Sequence, residues 1–282
     1  MKLSFTTLGC PEWNLDQILA SAQKYGYDAI DFRGYQDSLD ITGHPLFSKD
    51  AMKTAERIRN HGLSVSCLSS SVRMFTYDDE QRKKYDTELI KYAELCNIFD
   101  TKYIRIFGGK LNGFNPEKAY RRAVESLRKM AAVAREYNVQ VLLETHDEWM
   151  EGELLKNLMK DVDQINEIGI LWDVHNPYIQ ANEPPERTWK LLHEFIKNTH
   201  WKDSKIAPQT EDGFEICLMG DGDIPHRRIY RLLKKSGYNG YITFEWEKRW
   251  HKDIPGPDIA FPRFAHYMRK LMSENGNSTE GD

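Results

Sequence analysis

Four residues able to ligate a metal stand at the ends of four successive apolar, β-prone runs: Glu144 in VQVLLETH, Asp173 in GILWDVHN, His200 in NTHWKD and Glu245 in YITFEWE. Brought to one place, three carboxylates and an imidazole would repel one another and lose solvation unless a cation compensated them. One divalent ion held by oxygen and nitrogen is the expectation, with Mn²⁺ first and Mg²⁺, Co²⁺ or Zn²⁺ as alternatives. Any one of the four alone reads as a solvated or hydrogen-bonded strand end. Their shared position carries the inference.

Something must gather those strand ends, and the chain alternates strand and helix throughout. Strand-like runs at residues 2–9, 29–33, 63–68 and 103–107 precede the four that end in ligand candidates. Helical stretches separate them. The first, 15–25, has Ile18, Leu19 and Ala22 on one face, Asn14 as N-cap and Gly26 as stop. The next, 48–61, takes Ser48 as cap and ends at Gly62, and Pro116 opens a helix reaching Tyr137. Others fall at 79–97, 154–166, 185–196, 225–235 and 261–274. Eight strand–helix units predict an α/β fold, a single (β/α)8 TIM barrel over residues 1–274, whose C-terminal strand ends all open on one face. No GxGxxG opens the first helix, so an open dinucleotide-binding sheet lacks its main support. Residues 275–282 are polar and glycine-containing, and disorder is expected there.

Bulk composition narrows the partners. Lys plus Arg total 39 against 43 Asp plus Glu, a formal charge of −4, which argues against a nucleic-acid footprint. No apolar run approaches the roughly 20 residues of a membrane span. The N-terminus lacks a secretory h-region, and Cys10, Cys67, Cys96 and Cys217 are scattered with no CxxC spacing, which reads as free thiols. A cytoplasmic protein acting on a small molecule is the expectation; a homo-oligomer is left open.

Other residues flank the ligand candidates. His146 follows Glu144 by two, on the same side of a strand, and reads as a general base or as a histidine orienting Glu144. Lys202 shares a side with His200; it suits an enolate oxygen or a substrate anion, or else an ion pair with Asp203 or Glu245. Arg33 and Arg105, in the second and fourth strands, could reach substrate; an ion pair across the barrel is the structural alternative. Trp250 and Trp13 could stack on a sugar, although seven tryptophans make any single one ordinary packing. Two aspartates in Gly220-Asp221-Gly222-Asp223 argue against a phosphorylated ligand.

The motifs LLETH (142–146), WDVHNP (172–177), HWKD (200–203), MGDGDI (219–224) and FEWEKRWH (244–251) resemble those of the xylose isomerase-like barrel superfamily, over residues 2–272. The resemblance implies that Glu144, Asp173, His200 and Glu245 bind one divalent metal. It also implies that Glu144 and Glu245 trade protons on opposite faces of the substrate. Many relatives carry a histidine three residues after the aspartate. Here that position is Asn176, which cannot shuttle a proton, with His175 one place earlier; both are candidates for contacting substrate. A DNA-repair branch needs further histidines where this chain has Ser69-Ser70-Ser71 and Phe107-Gly108-Gly109. The function implied is a metal-dependent sugar isomerase or epimerase working through a metal-stabilised enediolate on an unphosphorylated sugar or sugar derivative. The alternative is a lyase or dehydratase of 3-dehydroshikimate or 3-keto-sugar type, with His146 as base.

Overall fold

Residues 1–274 are described by the structure, a computed structural model; the tail expected to be disordered lies outside the described residues. The strands are β1 (Lys2–Thr6), β2 (Ala29–Phe32), β3 (Ser64–Arg73), β4 (Tyr103–Phe107), β5 (Gln140–Glu144), β6 (Ile168–Asp173), β7 (Ile196–Trp201), β8 (Asp203–Ile206), β9 (Phe214–Cys217) and β10 (Tyr241–Phe244). Eight of them close in the order β1-β10-β7-β6-β5-β4-β3-β2, with β8 and β9 forming a separate antiparallel pair. The barrel neighbours are parallel throughout. Helices α1 (Leu15–Tyr25), α2 (Ala51–Asn60), α3 (Asp79–Phe99), α4 (Pro116–Tyr137), α5 (Gly152–Val162), α6 (Asn176–Gln180), α7 (Pro185–Leu192), α8 (His226–Lys235) and α9 (Pro257–Glu274) lie between and after them. The fold is a (β/α)8 TIM barrel.

Local chemistry sets the boundaries. Strands covered by helices outside and packed side chains inside must be apolar on both faces, and every residue of β2 and β6 is buried. Asn14 caps α1 in a reciprocal capping box with Gln17, and Gly26 closes that helix at φ +72°. Ser48 does not cap α2. Its hydroxyl donates to the His44 carbonyl across a single 3-10 turn, Pro45–Phe47, which delays the helix to Ala51 with Asp50 at the N-cap position.

Other boundaries differ from the sequence reading as well; the helices expected at 154–166 and 185–196 are Gly152–Val162 and Pro185–Leu192. The first strand stops at Thr6 and turns through a 3-10 segment, Thr7–Gly9. The third strand runs on to Arg73, past a register shift between Ser69 and Arg73, with the Ser70 hydroxyl tied to the Arg105 carbonyl. The last helix begins at Pro257 and continues through Pro262. The β8–β9 hairpin is an insertion in the seventh strand-to-helix connection. No helix among the described residues is long and apolar enough to cross a membrane.

Candidate metal centre

The closed barrel converts sequence-distant strand ends into neighbours. In the ladder Asp173 stands beside His200, and Thr243, two residues before Glu245, also pairs with His200. Glu144, His200 and Glu245 each bring one ligand atom within 4.8 Å of the others, all buried. Nδ1 of His200 lies 3.2 Å from Oε1 of Glu245 and 3.5 Å from Oε1 of Glu144. Asp173 is equally buried but stands beside this group. Its Oδ1 accepts the backbone N–H groups of His175 and Asn176, and its Oδ2 lies 2.9 Å from the Lys202 ammonium. That ammonium also meets Glu245 at 2.9 Å and Glu247 at 2.7 Å, and no ion pair joins it to Asp203. Burial works against the Lys202 charge, yet Asp173, Glu245 and Glu247 hold it well above its ordinary pKa.

The free valences of the group suit a cation. Both carboxylate oxygens of Glu144 and Nδ1 of His200 are buried without a hydrogen-bond partner, an uncommon condition in a folded interior. The other ring nitrogen, Nε2, lies 3.0 Å from Oδ2 of Asp31, which is itself fully buried on β2. Nε2 donates to that carboxylate and Nδ1 is turned toward the two glutamates, where a bound cation would take the place of its proton, as at a ligating histidine backed by a carboxylate. Burial pushes the imidazole toward neutrality, but Glu245, Asp31 and Glu144 raise its pKa well above the usual value. Carboxylate oxygens with one imidazole are the donor set of Mn²⁺, Mg²⁺ or Zn²⁺. Asp31 was missed by the sequence reading; the available signal was an acid inside the otherwise apolar strand AIDF. Glu247, the third partner of Lys202, was missed as well.

The remaining candidates divide by where their side chains go. His146 lies just past β5, its side chain 39% exposed, its ring edge-on to Phe107 and its Nδ1 3.2 Å from Oδ1 of Asp147. Burial opposes protonation of this ring, but Asp147 and Glu144 win and raise its pKa. Arg105 points inward, with Nε 3.3 Å from Oε2 of Glu144. Arg33 lies at the mouth and donates to Ser71.

The strand pleat ends at Asp173, so His175 turns away. Its Nε2 lies 2.8 Å from the Ser204 hydroxyl and its ring packs on Phe214; burial, then Lys202, holds its pKa near about 3. Asn176 donates to the Thr145 carbonyl. Both reach Asp173 through backbone N–H groups rather than side chains. Trp13 and Trp250 share a rim groove of about 850 Å³ built by the loops after β1, β2 and β10, away from the metal-ligand group. In the glycine loop, the N–H groups of Gly220 and Gly222 both donate to Oδ2 of Asp203, so these donors are already used.

This barrel, with its acidic strand ends, matches a known family. Residues 19–267 match the model described as xylose isomerase-like TIM barrel, and the chain belongs to that family. Among curated relatives, the inosose dehydratase of Clostridium perfringens (strain ATCC 13124) is 26% identical over 64% of this chain. The match spans 59% of that relative's own length. The fructoselysine 3-epimerase of Escherichia coli O157:H7 is 21% identical over 87% of this chain and 90% of its own. The crystal structure of the IOLI protein with a bound zinc atom superposes with a TM-score of 0.79 over 97% of this chain and 99% of its own, with 20% identity. The relatives are thus named for two reactions, a dehydration and an epimerisation.

Proposed function

We propose that this chain is a divalent-metal-dependent isomerase or epimerase acting on an unphosphorylated sugar or sugar derivative. The observation that supports it most is the buried group of Glu144, His200 and Glu245, two carboxylates flanking one imidazole within 4.8 Å. These three, with Asp173, would hold one ion, Mn²⁺ first among Mg²⁺, Co²⁺ and Zn²⁺; zinc in the IOLI protein is consistent with such a site. When bound, the ion supplies Lewis acidity that polarises a substrate carbonyl and acidifies the adjacent C–H.

The chain's own residues then move the proton. Each carboxylate can ligate through one oxygen and exchange a proton at the other. Glu144 and Glu245 stand on either side of His200, so removal by one and return by the other inverts the carbon between them. Lys202 bonds Oε2 of Glu245, keeping that carboxylate ionised and aimed. Arg33 and Arg105 serve as substrate donors, with Trp250 reserved for a part of the substrate extending into the rim groove; Lys202, its three N–H groups facing Asp173, Glu245 and Glu247, acts on substrate only through its charge. His175 and Asn176 act as supports of the Asp173 loop rather than through direct side-chain contact. The glycine loop, its donors turned to Asp203, gives a phosphate little to bind. The four cysteines are unpaired, which fits a cytoplasmic setting.

A second reading, dehydration or elimination with His146 as base, is favoured by one observation: His146 is half-open to the mouth and backed by Asp147. Solvent exchange tests the pair. With the Mn²⁺-loaded protein in D₂O and a panel of ketohexoses, ketopentoses, 3-keto-glycosides and 3-dehydroshikimate, isomerisation or epimerisation places deuterium beside the carbonyl with all oxygens retained. Loss of water and a new conjugated enone would replace the first reading by the second.

A further inference from the structure

The mouth of the barrel carries two buried arginines, Arg105 paired on one edge with Glu144 and Arg33 in no ion pair among the described residues. Arg105 is fully buried, and Nη1 and Nη2 have no hydrogen-bond partner. Its Nε faces Glu144 at 3.3 Å, a contact outside hydrogen-bonding geometry. Arg33 is 7% exposed, donates one hydrogen bond, to Ser71, and forms no ion pair among the described residues. Both guanidinium carbons stand over the Phe107 ring, at 3.8 Å for Arg105 and 5.6 Å for Arg33. The two cations are close enough that burial and then Arg105 pull the Arg33 pKa down to about 10.

A counterion role does not account for this pair. Pairing with Glu144 occupies only the Nε edge of Arg105, and Glu144 also turns Oε1 toward His200. The neighbouring carboxylate, Glu88, accepts the Ser71 backbone N–H and makes no ion pair with either arginine. Burying guanidinium donors without acceptors costs free energy, and a forked guanidinium matches a carboxylate edge-on. Glu144 spans the gap, one oxygen at Arg105 and the other at the metal group. An anion held by the arginines would therefore leave the rest of its carbon skeleton at Glu144, His200 and Glu245, with His146 beside it across Phe107.

We propose that Arg33 and Arg105 form a carboxylate-recognition site, so that the substrate is a sugar derivative bearing a carboxylate. The proposal rests on the metal-dependent reading above for the reaction, but binding tests it separately. Calorimetry on the Mn²⁺-loaded protein would compare D-gluconate, D-glucitol and D-glucitol 6-phosphate. D-Gluconate should bind roughly tenfold to hundredfold tighter than D-glucitol, the span of a charge-assisted hydrogen-bond pair. Arg33→Gln should abolish that preference, with Mn²⁺ affinity and melting temperature unchanged. Arg105→Lys, which keeps the charge and removes the fork, should reduce it.

Equal binding of gluconate and glucitol, or no gluconate binding, would overturn the proposal. So would a preference that survives Arg33→Gln, because the carboxylate would then sit on the metal. Tighter binding of the phosphate would assign the arginines to a different anion and overturn it too. Absence of deuterium exchange with a carboxylate-bearing keto sugar such as 5-keto-D-gluconate would count against the isomerase reading and leave these affinities as they stand.

Discussion

Asp31→Asn separates a histidine positioned for metal from one that merely fills the core. The Asp31 carboxylate accepts from Nε2 of His200 at 3.0 Å, and both side chains are fully buried. Asparagine keeps the volume and one acceptor oxygen but removes the charge. A charge-assisted bond is worth about 1.5–3 kcal/mol and a neutral one about 1 kcal/mol, so the substitution forfeits roughly 0.5–2 kcal/mol of support for the ring. Supporting carboxylates behind metal-bound histidines typically change affinity by about 10- to 100-fold, or roughly 1.4–2.7 kcal/mol, which overlaps that range. Asp31→Asn is therefore expected to weaken Mn²⁺ binding about 10-fold or more. Competition against a chelator of known affinity, with circular dichroism as a fold check, measures it. A folded variant that binds Mn²⁺ within about twofold of the parent would show that Asp31 does not tune His200 as a ligand, and the orientation argument would fall.

Three other outcomes follow from the same geometry. Glu144→Gln and Glu245→Gln should each lower turnover by about 10²-fold or more with the fold intact, the usual weight of a proton-transfer group, and full activity in either variant would end the two-carboxylate mechanism. His146→Ala should leave epimerisation or isomerisation near normal; a loss of about 10²-fold with conjugated product in the parent would move the protein to the elimination class. His226 is buried with neither ring nitrogen hydrogen-bonded, and burial holds its pKa down at about 3 from 6.5. Below pH 6.5 the unfolded chain takes up this proton and the native one does not, so the contribution is full above 6.5 and falls away toward pH 3. Between about pH 7.5 and 5 it should cost about 2 kcal/mol, and urea unfolding of His226→Phe should lose that much less than the parent; equal losses would refute the assignment.

Much of this barrel was readable as pattern. Asn14 with Gln17, Gly26 and Pro116 fix helix ends through contacts a few residues long, so the sequence contains both partners of each. Ser48 shows where this fails: its hydroxyl had a competing acceptor at His44, set by a 3-10 turn that the helical pattern did not announce. The β8–β9 hairpin, short and partly exposed, likewise lacked a run long enough to read.

At the site, residue type and strand-end position were properties of the sequence, and they selected Glu144, Asp173, His200 and Glu245. Which of these meet was decided by barrel closure, which brings β10 beside β7 and β2 within reach of His200. Closure placed Asp31, 169 residues away in sequence, behind the imidazole, and it gave Asp173 to Lys202. It also turned His175 and Asn176 out of line once the strand pleat ended. Composition can name the groups that would repel one another in a small space; only the packed barrel settles which charges neutralise which, because that depends on distances of a few ångströms between residues far apart in the chain.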